Sequence, residues 1–152
     1  MTRILVVEDD AAVRLAMKTL LELEGFDVTL VEDGCSCLEV IGTRAFDVAI
    51  VDMFMPGMTG WDTIKALRER APEIPVIAMS GLADDDRHGR EPDFLSMARQ
   101  LGAAGSLRKP FRPNELLAAL DACLVTAAGS EQEVAAATAT SMSDLADPPR
   151  AL

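Results

Sequence analysis

Five times along this chain a short strand-like stretch is followed by residues with helical spacing, and few architectures accept that alternation. Ile4 to Val7 is wholly apolar, as a strand covered on both faces should be. Val13, Ala16, Met17, Leu20 and Leu21 follow at offsets of 0, 3, 4, 7 and 8, one stripe of a helix that Gly25 then ends. Val28 to Val31 reads as a second strand. Gly34 to Ile41 reads as a short helix with Leu38 and Ile41 inward and Gly42 after it. Val48 to Val51 is a third strand, closing on Asp52. The loop Met55 to Gly60 leads into a helix from Trp61 to Arg70, with Ile64, Leu67 and Ala71 on one side. Pro75 to Met79 predicts a fourth strand, closing on Ser80 and Gly81.

A polar loop from Ala83 to Pro92 separates that strand from a fourth helix, which the spacing of Phe94, Met97, Ala98 and Leu101 starts near Pro92 or Asp93 and Gly102 ends. Gly105 to Arg108 predicts a fifth strand. Pro113 suits the first turn of a last helix, striped by Leu116, Ala119, Leu120, Cys123 and Leu124. Strands that alternate with helices pair in parallel through right-handed crossovers, with helices on both faces. The expected fold is therefore α/β, a doubly wound sandwich of five strands and five helices. It spans residues 1–125 as one domain. Residues 126–152 are rich in Ala, Ser and Thr, carry no core stripe, and read as a disordered or partly helical tail.

Composition narrows the function. The formal charge is -11, the opposite of the basic footprint that a nucleic-acid partner or an anionic leaflet requires. No run approaches the roughly 18 apolar residues of a membrane span, and the N-terminal run is too short for a signal segment. Cys35, Cys37 and Cys123 are an odd number, so no disulfide framework is expected. Only His88 could join the Cys35–Cys37 pair as a nitrogen ligand, too few for zinc. These features predict reduced thiols and a cytoplasmic location.

Ligands of open α/β sheets bind beyond the carboxyl ends of the strands. Here those ends carry Glu8-Asp9-Asp10, Asp52, Ser80 and Lys109-Pro110. Two carboxylates about 5 Å apart repel by roughly 3 kcal/mol at an effective dielectric near 20. A cluster of acids at one edge therefore calls for a counterion, and an all-oxygen donor set suits Mg²⁺. Asp10 on its own fits better as a cap for the first helix. Lys109 supplies a fixed positive charge and Ser80 a hydroxyl donor, which together with a cation are the parts that phosphoryl transfer needs.

Val7-Glu8-Asp9, Asp52-Met53-Phe54-Met55-Pro56 with Gly60, Ser80-Gly81 and Lys109-Pro110-Phe111 resemble the response-regulator receiver family, over residues 3 to 125. The resemblance implies a flavodoxin-like three-layer sandwich with strand order 2-1-3-4-5. It implies that Asp52 accepts the phosphoryl group, that Ser80 and Lys109 hold it, and that Glu8, Asp9, Asp52 and the Phe54 carbonyl hold Mg²⁺. Lys109-Pro110 would be cis. The implied function is a single-domain, Mg²⁺-dependent phosphoaspartate switch or relay in two-component signalling. It is a signalling phosphoacceptor rather than an enzyme of small molecules. Its implied partners are a histidine kinase or phosphotransfer protein and a downstream protein target, with neither nucleic acid nor membrane. Homodimers through the helix 4–strand 5–helix 5 face are a habit of the family.

Two departures stand out. Position 106 is Ser where the family usually carries Tyr or Phe, so the alternative reading is a degenerate receiver that docks proteins without phosphorylation. Asp84 to Pro92 looks like a polar insertion beside Ser80. An Asp-nucleophile phosphohydrolase would be expected to carry Asp-x-Asp at the end of the first strand, whereas here the candidate is Asp52-Met53-Phe54 on the third.

Overall fold

The computed structural model describes residues 1–55, 57–81 and 91–125. Its elements run β1 (Arg3–Val7), α1 (Ala11–Leu23), β2 (Asp27–Val31), α2 (Gly34–Ile41), β3 (Val48–Asp52) and α3 (Gly60–Arg70). They continue with β4 (Val76–Gly81), α4 (Glu91–Gln100), β5 (Gly105–Lys109) and α5 (113–125). The strands form one parallel sheet in the order β2-β1-β3-β4-β5. The expected α/β sandwich is therefore the observed one. The polar stretch with His88, from 82 to 90, and the tail from 126 to 152 lie outside the described residues.

The two-residue period of a strand sorts the core into two layers. Leu5, Val7, Ala49, Val51, Val76 and Ala78 face α2, α3 and α4, meeting Cys37, Ile64, Leu67 and Ala98. Ile4, Val6, Val48, Ile50, Ile77, Met79 and Leu107 face α1 and α5, meeting Met17, Leu21, Leu116, Leu120 and Cys123. Each fully buried Leu, Ile or Met contributes about 1.5–3 kcal/mol. The central strand β3 is buried along its whole length, as its unbroken apolar run requires.

Helix ends follow local chemistry. Asp10 caps α1, its Oδ1 accepting from the amides of Ala12 (2.9 Å) and Val13 (3.2 Å), as expected of it. Asp33 caps α2 by accepting from the Ser36 amide at 2.7 Å, and these hydrogen bonds hold its carboxyl below the ordinary range. Gly25, beyond α1, has φ of 88°, the left-handed region open to glycine.

The helical stripes need correction at particular residues. Ala16 is exposed, because α1 presents Met17 and Leu21 to the sheet and turns Ala16 into a groove beside α5. On α2 Gly34 and Cys37 are buried; Leu38 is only half buried. On α4 Ala98 is buried and Met97 is 48% exposed, so the contact face is narrower than the spacing implied.

Candidate functional site

Glu8, Asp52 and Lys109 each continue a row of the sheet. Ile4-Val6-Glu8, Val48-Ile50-Asp52 and Leu107-Lys109 are same-face positions two residues apart, all on the layer facing α1 and α5. Register does the rest. Val7 lies opposite Val51, so the next residues, Glu8 and Asp52, meet just past the end of β1. Lys109 is opposite Gly81 at the end of β5. Its Nζ donates to both Glu8 oxygens at 3.1 Å and to Asp52 Oδ2 at 3.2 Å.

The loop after β3 is held as tightly. The Met53 amide donates to the Met79 carbonyl at 2.8 Å, extending the β3–β4 pairing past Asp52. The Phe54 amide donates to Asp52 Oδ1 at 3.1 Å. The Gly60 amide donates to the Met53 carbonyl, and a Cβ at Gly60 would overlap the Asp52 carbonyl oxygen and Met53 Cα. Only glycine allows α3 to start this close to the strand.

Burial makes the charges matter. Glu8 is fully buried and Asp52 is 2% exposed. Burial pushes the Glu8 carboxyl up to about 7, the Asp52 charge adds to the rise, and Lys109 opposes it. Burial raises Asp52 as well, against the lowering effects of Glu8, Lys109 and the Phe54 amide. For Lys109 burial acts downward, but Asp52 and Glu8 outweigh it and the ammonium is held above its ordinary value. The ammonium is thus the counterion that permits two buried carboxyls side by side.

Glu8, Asp9 and Asp52 each offer a carboxylate oxygen within 4.8 Å of the others, so the structure gathers the three acids singled out in the sequence. Asp9 is the exposed member, at the mouth. Ser80 is fully buried, and its hydroxyl has no hydrogen-bond partner among the described residues. Phe54 is half buried in the loop that follows Asp52. The Lys109-Pro110 peptide is cis. Ser106 sits opposite Ala78. The three cysteines are free thiols, with Cys37 buried and pushed up to about 12 by that burial, and none lies among the three clustered acids.

Sequence reasoning named neither the pairing of Lys109 with Glu8 nor the role of Arg14. Arg14 Nη1 donates to the carbonyl oxygens of Glu8 (2.7 Å) and Asp9 (2.9 Å). No motif marks it; the only signal was a basic residue in the first turn of a helix, the electrostatically unfavourable end.

A parallel 2-1-3-4-5 sheet with acids, a lysine and a hydroxyl at its carboxyl edge defines the class of phosphoacceptor receiver modules. The response regulator receiver domain model matches residues 4–121, and the chain belongs to that family. The transcriptional regulatory protein CpxR of Escherichia coli is 37% identical over 133 residues, 88% of this chain and 53% of CpxR. Response regulator MprA of Mycobacterium ulcerans is 34% identical over 143 residues, 94% of this chain and 59% of MprA. The chain thus spans about half the length of these curated relatives. Chemotaxis response regulator CheY4 of Vibrio cholerae, 30% identical, superposes with a TM-score of 0.72 over 82% of this chain and 99% of that one. No helix among the described residues is long and apolar enough to cross a membrane.

Proposed function

We propose that this receiver is a Mg²⁺-dependent phosphoaspartate switch in two-component signalling, with Asp52 as acceptor. One observation carries the reading: the Lys109 ammonium bridges Glu8 and Asp52, and Asp9 joins them to make three converging carboxylates. That all-oxygen set fits a hard divalent cation. Glu8, Asp9, Asp52 and the Phe54 carbonyl would hold Mg²⁺. When bound, the ion would neutralise charge on the phosphoryl oxygens during transfer.

The chain's own groups account for the remainder. An Asp52 oxygen forms the new bond to phosphorus as the P–N bond of a phosphohistidine donor breaks and the leaving imidazole nitrogen takes a proton from solvent; with acetyl phosphate the P–O bond breaks and acetate leaves as the anion. Lys109, already 3.2 Å from Asp52, turns its ammonium to the new phosphoryl oxygens. The Ser80 hydroxyl, buried and without a described partner, donates to another. Such hydrogen bonds to a charged group contribute about 1.5–3 kcal/mol each. Moving a two-state equilibrium from 1:99 to 99:1 takes about 5.5 kcal/mol, so these two contacts supply most of a switch.

The donor is a histidine kinase or phosphotransfer protein. An apolar groove of about 590 Å³ beside the site, walled by Val13, Met17, Leu20, Pro110 and Phe111, suits a helix of that partner. The signal leaves through contact with a downstream protein, in keeping with the charge of -11, and the module works in the cytoplasm alongside its donor. A second reading, a docking module that never takes phosphate, draws on Ser106 in place of an aromatic. Incubation with acetyl phosphate separates them. The switch gains one phosphoryl mass only with Mg²⁺ present, whereas the docking module gains none.

A further inference from the structure

We propose that Arg14 is a positioning residue for the cation site, an inference that rests on the Mg²⁺ reading above. The strand ladder stops supporting this backbone at the point where the acids begin. The Glu8 amide still donates to the Val31 carbonyl of β2 at 3.1 Å. The pairing of β1 with β3, however, ends at Val7–Val51. The Glu8 and Asp9 carbonyls therefore lie beyond the ladder, and the peptides they belong to set where the two carboxylates point. A single nitrogen of Arg14, Nη1, donates to both carbonyls, at 2.7 and 2.9 Å.

Arg14 can do this because α1 is itself anchored to the same turn. Its amide donates to the Asp10 carbonyl at 3.0 Å, and Asp10 caps the helix through Ala12 and Val13. The side chain then folds back from the first helical turn onto the two residues before the cap. The turn from Glu8 to Asp10 is thereby closed on itself from both ends. Electrostatics alone argues against this placement. A cation in the first turn opposes the helix dipole, and Lys18 stands four residues on, a spacing that sets like charges side by side. Bonds from a guanidinium to two carbonyls beyond the ladder explain why the residue is tolerated there.

The two physical effects of Arg14 on a divalent cation have opposite signs. Its charge repels the ion, so losing it would tighten binding. Its hydrogen bonds fix Glu8 and Asp9 so that they converge on Asp52, so losing them would loosen binding. Groups that orient ligands from behind typically change metal affinity 10- to 100-fold. Positioning outweighs charge here, and Arg14→Ala weakens Mg²⁺ about tenfold.

The test is calorimetric titration of the full chain with MgCl₂ at fixed ionic strength, paired with thermal unfolding in EDTA. Expected for Arg14→Ala is the tenfold weaker affinity. Expected for Arg14→Lys, which keeps a donor and the charge, is partial recovery. Lys18→Ala, which removes a charge one turn away that pairs with Glu22, should bind like the wild type. An Arg14→Ala affinity equal to or tighter than wild type overturns the inference, even if its melting temperature falls. Should Arg14→Ala not fold, Arg14→Lys decides: wild-type affinity overturns the proposal and a severalfold loss supports it. If the wild type itself shows no saturable Mg²⁺ binding, the functional reading falls and takes this one with it. If the wild type binds and the variants match it, only the role of Arg14 is lost.

Discussion

Lys109 and Glu8, 101 positions apart in the chain, are joined by two contacts of 3.1 Å between one ammonium and both oxygens of a fully buried carboxylate. The same ammonium reaches Asp52, so it is the counterion of both buried acids. Removing one partner of a buried pair costs more than the pair itself contributes, because the survivor is left uncompensated. Lys109→Ala should therefore destabilise the metal-free protein by about 2 kcal/mol at pH 8, a figure discounted because the lysine side chain is 22% exposed. Urea unfolding in EDTA checks it. Added Mg²⁺ should restore much of the loss by taking over the role of counterion.

The raised Glu8 carboxyl makes a signed prediction. With a folded value of about 7 against 4.5 unfolded, the native state keeps a proton that the unfolded chain has released. The Glu8 contribution to the stability of the metal-free protein therefore falls as pH rises from about 4.5 to 7, by about 3 kcal/mol at most. Asp52, also raised, acts in the same direction. Lys109 acts elsewhere: its contribution is complete below its unfolded value and is lost only as pH rises through the higher folded one. Glu8→Gln should flatten the slope between pH 5 and 7 in denaturant titrations; an unchanged slope would assign it to other groups.

Gly60 is the residue on which the approach of α3 to Asp52 depends. Gly60→Ala places a methyl into the Asp52 carbonyl and Met53, backbone that cannot move aside cheaply. The variant should lose about 3 kcal/mol and phosphorylate much more slowly than Gly57→Ala. A methyl on Gly57 would meet nothing within 4 Å, although the φ of 76° there carries a separate backbone strain. Unfolding curves and phosphorylation time courses on both variants check the contrast.

Asp10 caps α1 through two amides. Asp10→Ala should cost about 1 kcal/mol, since two amides of α1 lose their acceptor. Its Mg²⁺ affinity should stay within about threefold of wild type. A large loss of affinity would move Asp10 into the cation site.

The fold was legible because β1, β3 and β4 announced themselves as apolar runs, because β2 and β5 fell between helical stripes, and because strands that alternate with helices pair in parallel. Asp10 was readable as a cap from local sequence. The acids, Ser80 and Lys109 could be grouped because every one ends a strand, and parallel strands share an edge. What escaped was set by tertiary packing. Ala16 and Met97 fit a helical stripe, yet helices touch the sheet along a narrower line than the stripe, and both stay exposed. Cys37 is buried where Leu38 was expected, a difference of one position on a short helix. The grip of Lys109 on Glu8 was hidden because strand-end position sets the lysine opposite the acids as a group and names no partner. The hold of Arg14 on two carbonyls depends on a side chain folding backward, which spacing does not reveal.

Intact-mass spectrometry of wild type and Asp52→Asn after acetyl phosphate treatment, with Mg²⁺ and with EDTA, tests most directly whether Asp52 is the acceptor. One added phosphoryl group is expected on the wild type with Mg²⁺ alone, and none on Asp52→Asn under any condition. An equal mass gain on Asp52→Asn, or a wild type that never gains it, would contradict that assignment.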